Sequence, residues 1–242
     1  MNWQKHKFDC SINYSGSLRS TPFYSVRYTF NYLSDKVDQV FLDNIIKKGK
    51  ALALKVNSAS ASASNFKRKQ VRININAIAG LLAEDLWLDF LNSQNIPASS
   101  TPFSSASNQI DIVLPNTGKT IEVRSSFPRN GVEFALCHAV YQFDVIGPYS
   151  NDYKPSEIQK DFYVRVLFPF STNDFFSKLK SDSFEVYLTG GATWSMMSNN
   201  NIALVKSFIA EDELNADIIT ASKFRVVPFS QALDSFNIIN YM

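Results

Sequence analysis

Three acidic residues and one arginine carry the first chemical signal in this chain: Glu84, Asp111, Glu122 and Arg124. Asp111 lies in the apolar run Ile110-Asp-Ile-Val-Leu114, and Glu122 lies in Thr120-Ile-Glu-Val-Arg124. A carboxylate among apolar neighbours costs free energy unless it is paired, hydrogen-bonded or on a metal. Strand alternation puts Glu122 and Arg124 on one face and Ile121 and Val123 on the other. Antiparallel pairing of the two runs would bring Asp111 near Glu122. Two carboxylates plus a backbone carbonyl, taken as that of Val123, make a hard oxygen site suited to Mg²⁺, with Mn²⁺ as a substitute and with waters and phosphate oxygens completing it. Such an ion polarises a phosphate and acidifies a bound water. A cation beside it, the position of Arg124, stabilises charge that develops in the transition state. The competing explanation is an ion network on an edge strand, with Glu84 a solvated helix position.

The elements that must position these groups follow from the surrounding pattern. Residues 73–93 carry a strong helical signal, with Ile78, Leu81, Leu82, Leu86 and Phe90 separated from Glu84, Asp85 and Asp89. The two apolar runs are joined by Pro115-Asn-Thr-Gly-Lys119, which reads as an antiparallel hairpin. Upstream, residues 20–33 alternate like a strand or hairpin. Ser34 is then positioned to cap a helix that ends at Lys47 and Lys48, with Gly49 as the stop. The run 57–65 is Ser/Ala-rich and reads as a flexible loop. Downstream, residues 133–146 read as a helix, 162–168 and 184–188 as strands with a short helix at 171–180 between them, and Gly190-Gly191 as a tight turn. Strand, helix, strand favours a sheet with a parallel portion.

With a helical Glu84, then Asp111, then Glu122-Val123-Arg124, the chain resembles the PD-(D/E)XK nuclease superfamily over about residues 75–127. The resemblance implies an α/β fold of the restriction-endonuclease-like type, a mixed central sheet flanked by helices. It also implies metal-dependent hydrolysis of DNA phosphodiesters, of the type II kind found in restriction systems. Asp111 and Glu122 would bind metal, Glu84 would assist, and Arg124 would stand for the lysine of E-x-K. That family lysine positions or activates the attacking water. Arginine stays protonated and cannot act as a base, though it can orient water and neutralise phosphate charge. Ile110 stands where the family name has proline. The expected partner is double-stranded DNA bound by a homodimer, since a one-site nuclease must cut two strands. Alternatives are a DNA-binding protein on a nuclease fold with weak or lost catalysis, and a repair or recombination nuclease.

Charge and composition set the wider frame. Residues 1–72 hold 13 Lys+Arg against 4 Asp+Glu, whereas 73–242 hold 11 against 18. A basic part that tracks phosphates beside an acidic part that gathers carboxylates suits a nuclease. The expected division is therefore a basic, DNA-contacting N-terminal region, 1–72, packed on a nuclease core, 73–242. Lys67, Arg68, Lys69 and Arg72, with Ser125, Ser126 and Arg129 after the E-x-K strand, are the expected phosphate contacts. Two cysteines, Cys10 and Cys137, build neither a disulfide framework nor a zinc site. With only His6 and His138, histidine-dependent catalysis has little to work with, and no phosphate-binding glycine loop occurs. No apolar window is long enough for a membrane span and the start lacks a signal-peptide pattern, so a cytoplasmic protein is expected.

Overall fold

The computed structural model describes residues 2–8, 22–55, 70–103, 109–127, 145–149, 158–208 and 222–242. In chain order the elements are β1 (Trp3–Phe8), β2 (Phe23–Phe30), α1 (Lys36–Ala53), α2 (Gln70–Ser93), β3 (Ser99–Ser100), β4 (Ile112–Leu114) and β5 (Lys119–Ser126). They continue as β6 (Val145–Tyr149), β7 (Phe162–Leu167), α3 (Phe175–Leu179), β8 (Phe184–Thr193), α4 (Trp194–Ser198), β9 (Leu204–Phe208), β10 (Ser222–Val227) and α5 (Ser235–Ile238).

Local chemistry explains the main helices. Asp35, not the expected Ser34, caps α1, because its carboxylate accepts from the Val37 and Asp38 amides. Gly49 does not stop this helix, which runs on to Ala53. It is a packing glycine: a Cβ there would lie 2.5 Å from Ile78 Cγ1 and 2.7 Å from Ile78 Cα, where α1 crosses α2. α2 is buried around most of its circumference, from Ile73 to Leu91, because α1 covers one side and the sheet covers the other.

The sheet has seven strands in the order β1-β2-β8-β7-β5-β4-β3. Among the described residues only β5 and β7 pair in parallel, which makes it a mixed sheet. Its helix face carries Val26, Tyr28, Phe30, Ile121, Val123, Phe162, Val164, Val186 and Leu188, merged with α1 and α2 into the main core. β6, β10 and β9 form a second sheet, whose Val145 and Val227 pack with Tyr163 and Ala192 of the central sheet. The architecture is thus mixed α/β with helices flanking the central sheet, and no described helix is long and apolar enough to cross a membrane.

Several elements differ from the sequence reading. β1 and β2 are strands of the central sheet itself, and a boundary at 72/73 would fall inside α2. Residues 145 and 146 belong to β6, not to a helix; the rest of the expected 133–146 helix lies outside the described residues, as do the Ser/Ala-rich run 57–65, Lys67, Arg68, Lys69 and Arg129. Gly190 and Gly191 lie inside β8, not in a turn after it. The hairpin between the two acidic runs forms as expected, with Gly118 at φ +67 in its turn.

Candidate functional site

The β4–β5 hairpin sets the site's geometry. Its register pairs Ile112 with Ile121 and Leu114 with Lys119; continued by one residue, it puts Asp111 opposite Glu122. Asp111 occupies the bend immediately before β4, not the strand itself. Its carboxylate is held there by the Val123 amide, which donates to Oδ2 at 2.7 Å. The Thr101 amide donates to the Asp111 carbonyl at 3.2 Å, pinning the bend to the far edge of the sheet. The sequence therefore brings an acid to a strand end and returns a backbone N–H from the next strand to fix it.

Glu122 projects from the face opposite the main core. One of its oxygens, Oε1, lies 2.9 Å from Arg124 Nη2, and the other, Oε2, lies 3.0 Å from Lys160 Nζ. The side chains of Glu122 and Arg124 are 15% and 17% exposed, and that of Lys160 is 1% exposed, so the triplet is shielded from bulk water. Lys160 is the functional candidate that the sequence reading missed. It precedes β7, whose parallel pairing with β5 starts at Ile121↔Phe162. Asp161 staples that junction, accepting from the Thr120 amide at 2.8 Å and the Thr120 hydroxyl at 3.0 Å. The only local signal is a lysine just ahead of an apolar strand.

Glu84 comes from the middle of α2. Burial, reinforced by the charges of Asp111 and Asp85, pushes its carboxyl up to about 8. Burial and the Glu122 charge push Asp111 up to about 7, against the pull of the Val123 N–H, Arg124 and Lys160. Asp85 is also raised by burial, with Lys48 opposing. Asp111 thus feels both neighbours and resists ionising beside them, while Glu84, from the core-side helix, and Glu122, from the opposite face of the sheet, each interact with it and not with one another.

Ser126 shares the outward face of β5 with Glu122 and Arg124, while Ser125 pairs with Val166. Arg72 sits in the first turn of α2, twelve residues ahead of Glu84 and about 18 Å along the helix, so it does not join the acidic cluster. Val123 has a buried side chain and offers the site only its backbone. Among the described residues, no three His, Cys, Asp or Glu side chains converge tightly enough to hold an ion by themselves. The donor chemistry still fits a hard divalent cation: carboxylate oxygens and a backbone carbonyl, with no soft ligand.

No family model and no solved structure match the chain. A protein of Methanocaldococcus jannaschii, described as uncharacterised, is 30% identical to it over 169 residues, 64% of this chain and 59% of the relative. The chain therefore spans about three fifths of that relative's length.

Proposed function

We propose that the chain is a Mg²⁺-dependent DNA endonuclease of the restriction-endonuclease-like, PD-(D/E)XK type, with Asp111, Glu122 and Glu84 as its acidic centre. One observation carries the reading: the hairpin register that sets Asp111 across from Glu122, on a sheet whose neighbouring helix supplies Glu84. Asp111 and Glu84, whose carboxyls are raised by burial and by neighbouring acids, form a shielded pair whose ionisation a cation would favour. The carboxylates of Asp111 and Glu122, with the Val123 carbonyl, would hold the cation. When bound, it neutralises phosphate charge and acidifies a water.

The chain's own residues divide the remaining work. Arg124, oriented by Glu122, neutralises charge on the phosphate oxygens. Lys160, whose ammonium already sits 3.0 Å from Glu122, takes the place that a lysine at position 124 would otherwise fill: it orients the attacking water and balances the carboxylates. Glu84, which keeps its proton near neutrality in the metal-free protein, would give it up as the cation enters and assist through a metal-bound water or directly. A homodimer on double-stranded DNA in the cytoplasm, within a restriction system, completes the proposal.

A second reading, a DNA-binding protein without turnover, draws on the double pairing of Glu122. Both its oxygens are already matched by cations, which is how a structural network would be built. Incubating supercoiled plasmid with Mg²⁺ or Mn²⁺ separates the two. The nuclease reading expects nicking by the parent and none by Asp111→Ala or Glu122→Ala; binding without metal-dependent nicking supports the second reading.

A further inference from the structure

Two arginines stand side by side on the carboxylate face. β5 and β7 run parallel with Arg124 opposite Arg165, so both side chains leave the sheet in the same direction from strands about 4.8 Å apart. Arg165 is 7% exposed, and its Nε and Nη2 both donate to the hydroxyl of Ser126, the next outward position of β5. Like charges directly opposed across strands destabilise a sheet; here Glu122 accompanies Arg124 and Ser126 accompanies Arg165.

The sheet is shaped around this position. Between the pairs Val164↔Gly191 and Val166↔Leu188, Arg165 alone faces two residues of β8, Thr189 and Gly190. That two-against-one count is a β-bulge, a device that re-aims side chains. Gly190 adopts φ +71, and a Cβ there would lie 2.1 Å from the Leu233 carbonyl oxygen, so only glycine fits. The Thr189 hydroxyl donates to the Arg165 carbonyl at 3.3 Å. The bulge thus stands opposite Arg165, with the Thr189 hydroxyl on its backbone carbonyl, while its glycine is required by the approach of Leu233 and Asp234.

We infer that Arg165 and Ser126, with the outer edge of Arg124, form a seat for a second phosphate, the neighbour of the one being cut, on a DNA strand that follows the part-exposed outward positions of β5. The inference rests on the phosphodiester reading above. Glu122, Arg124 and Ser126 stand at successive two-residue steps of β5, ~6.6 Å each, so the seat lies one to two steps along the strand from the carboxylate. A guanidinium presents a planar fork to phosphate oxygens, and a serine hydroxyl rotates to donate or accept. The consequence concerns substrate class: the site grips a phosphate that it does not cut, and so acts on polynucleotides in preference to isolated phosphodiesters.

The test compares the parent with Arg165→Met and Ser126→Ala on a short DNA duplex and on bis(p-nitrophenyl) phosphate, both with Mn²⁺, after thermal unfolding has established which variants fold. Arg165→Met should raise KM for the duplex about tenfold or more, leave kcat within a few fold, leave the small diester unaffected, and lower the salt slope of duplex binding by about one. Ser126→Ala should move KM the same way by a smaller factor. Replacing the phosphate next to the cut site with an uncharged methylphosphonate should bring the parent down to the Arg165→Met level and leave that variant unchanged. Equal slowing on both substrates, or a parent indifferent to the methylphosphonate, overturns the seat. If Arg165→Met does not fold, Ser126→Ala and the methylphosphonate comparison decide. If the parent cuts neither substrate, the nuclease reading fails separately, and the seat is judged by binding: a salt slope lowered in Arg165→Met or Ser126→Ala keeps it, and an unchanged slope overturns it.

Discussion

Replacing Glu84 by glutamine should stabilise the metal-free protein, and do so only at high pH. The Glu84 carboxyl ordinarily titrates at 4.5, and burial with the Asp111 and Asp85 charges moves it to about 8 in the fold. Between these values the folded state keeps a proton that the unfolded state has lost, so stability falls as pH rises. The contribution is intact below pH 4.5 and gone above about 8. Each pH unit in that interval removes about 1.4 kcal/mol, which caps the loss near 5 kcal/mol; the half-buried position of Glu84 admits some solvent and brings the expectation to about 2 kcal/mol. Glutamine keeps the shape of the protonated acid and never ionises. Guanidinium unfolding of both proteins, followed by Trp87 fluorescence from within the same helix, should give equal stabilities near pH 5 and a gap opening to about 2 kcal/mol by pH 8.5. Saturating Mn²⁺ should close most of the gap by stabilising the parent. A difference that stays constant with pH, or a glutamine variant less stable at pH 8.5, would refute the reasoning.

Other expectations follow from the same geometry. Asp111→Asn should keep its acceptor for the Val123 amide and hence its thermal midpoint, yet lose plasmid nicking by about a hundredfold or more. Lys160→Met should lower nicking at least tenfold while leaving the Arg124 pairing of Glu122 in place, as read by single-turnover kinetics. Gly49→Ala should cost about 1–3 kcal/mol in denaturant unfolding, because the added methyl meets Ile78 where the two helices cross.

How much of this was legible in the sequence depended on how local each cause is. The β4–β5 hairpin could be read because its turn residues and its two apolar runs sit within about fifteen residues of one another. The Glu122–Arg124 pairing needed only strand alternation. Gly49 was misread because a glycine near basic residues resembles a helix stop, and only the approach of Ile78 from another helix reveals its packing role. Lys160 and Arg165 enter the site through the parallel pairing of β5 with β7, which joins residues about forty apart and leaves no local pattern. The same holds for Gly190: the bulge it serves is a property of two strands and of Leu233 behind them. The basic residues 1–72 suggested a region packed on a separate core, yet β1 and β2 hydrogen-bond into the central sheet. Charge counts do not report strand pairing.

The most direct test of the acidic centre is calorimetric titration of the protein with Mn²⁺ at pH 6.5 in two buffers of different ionisation enthalpy, on the parent and on Asp111→Asn. Asp111 and Glu84 both hold protons at that pH, so an ion that binds them must displace protons. The account predicts binding with about one to two protons released per ion, and binding abolished or reduced at least tenfold in the variant. Heats independent of buffer together with equal affinity in the two proteins would contradict it.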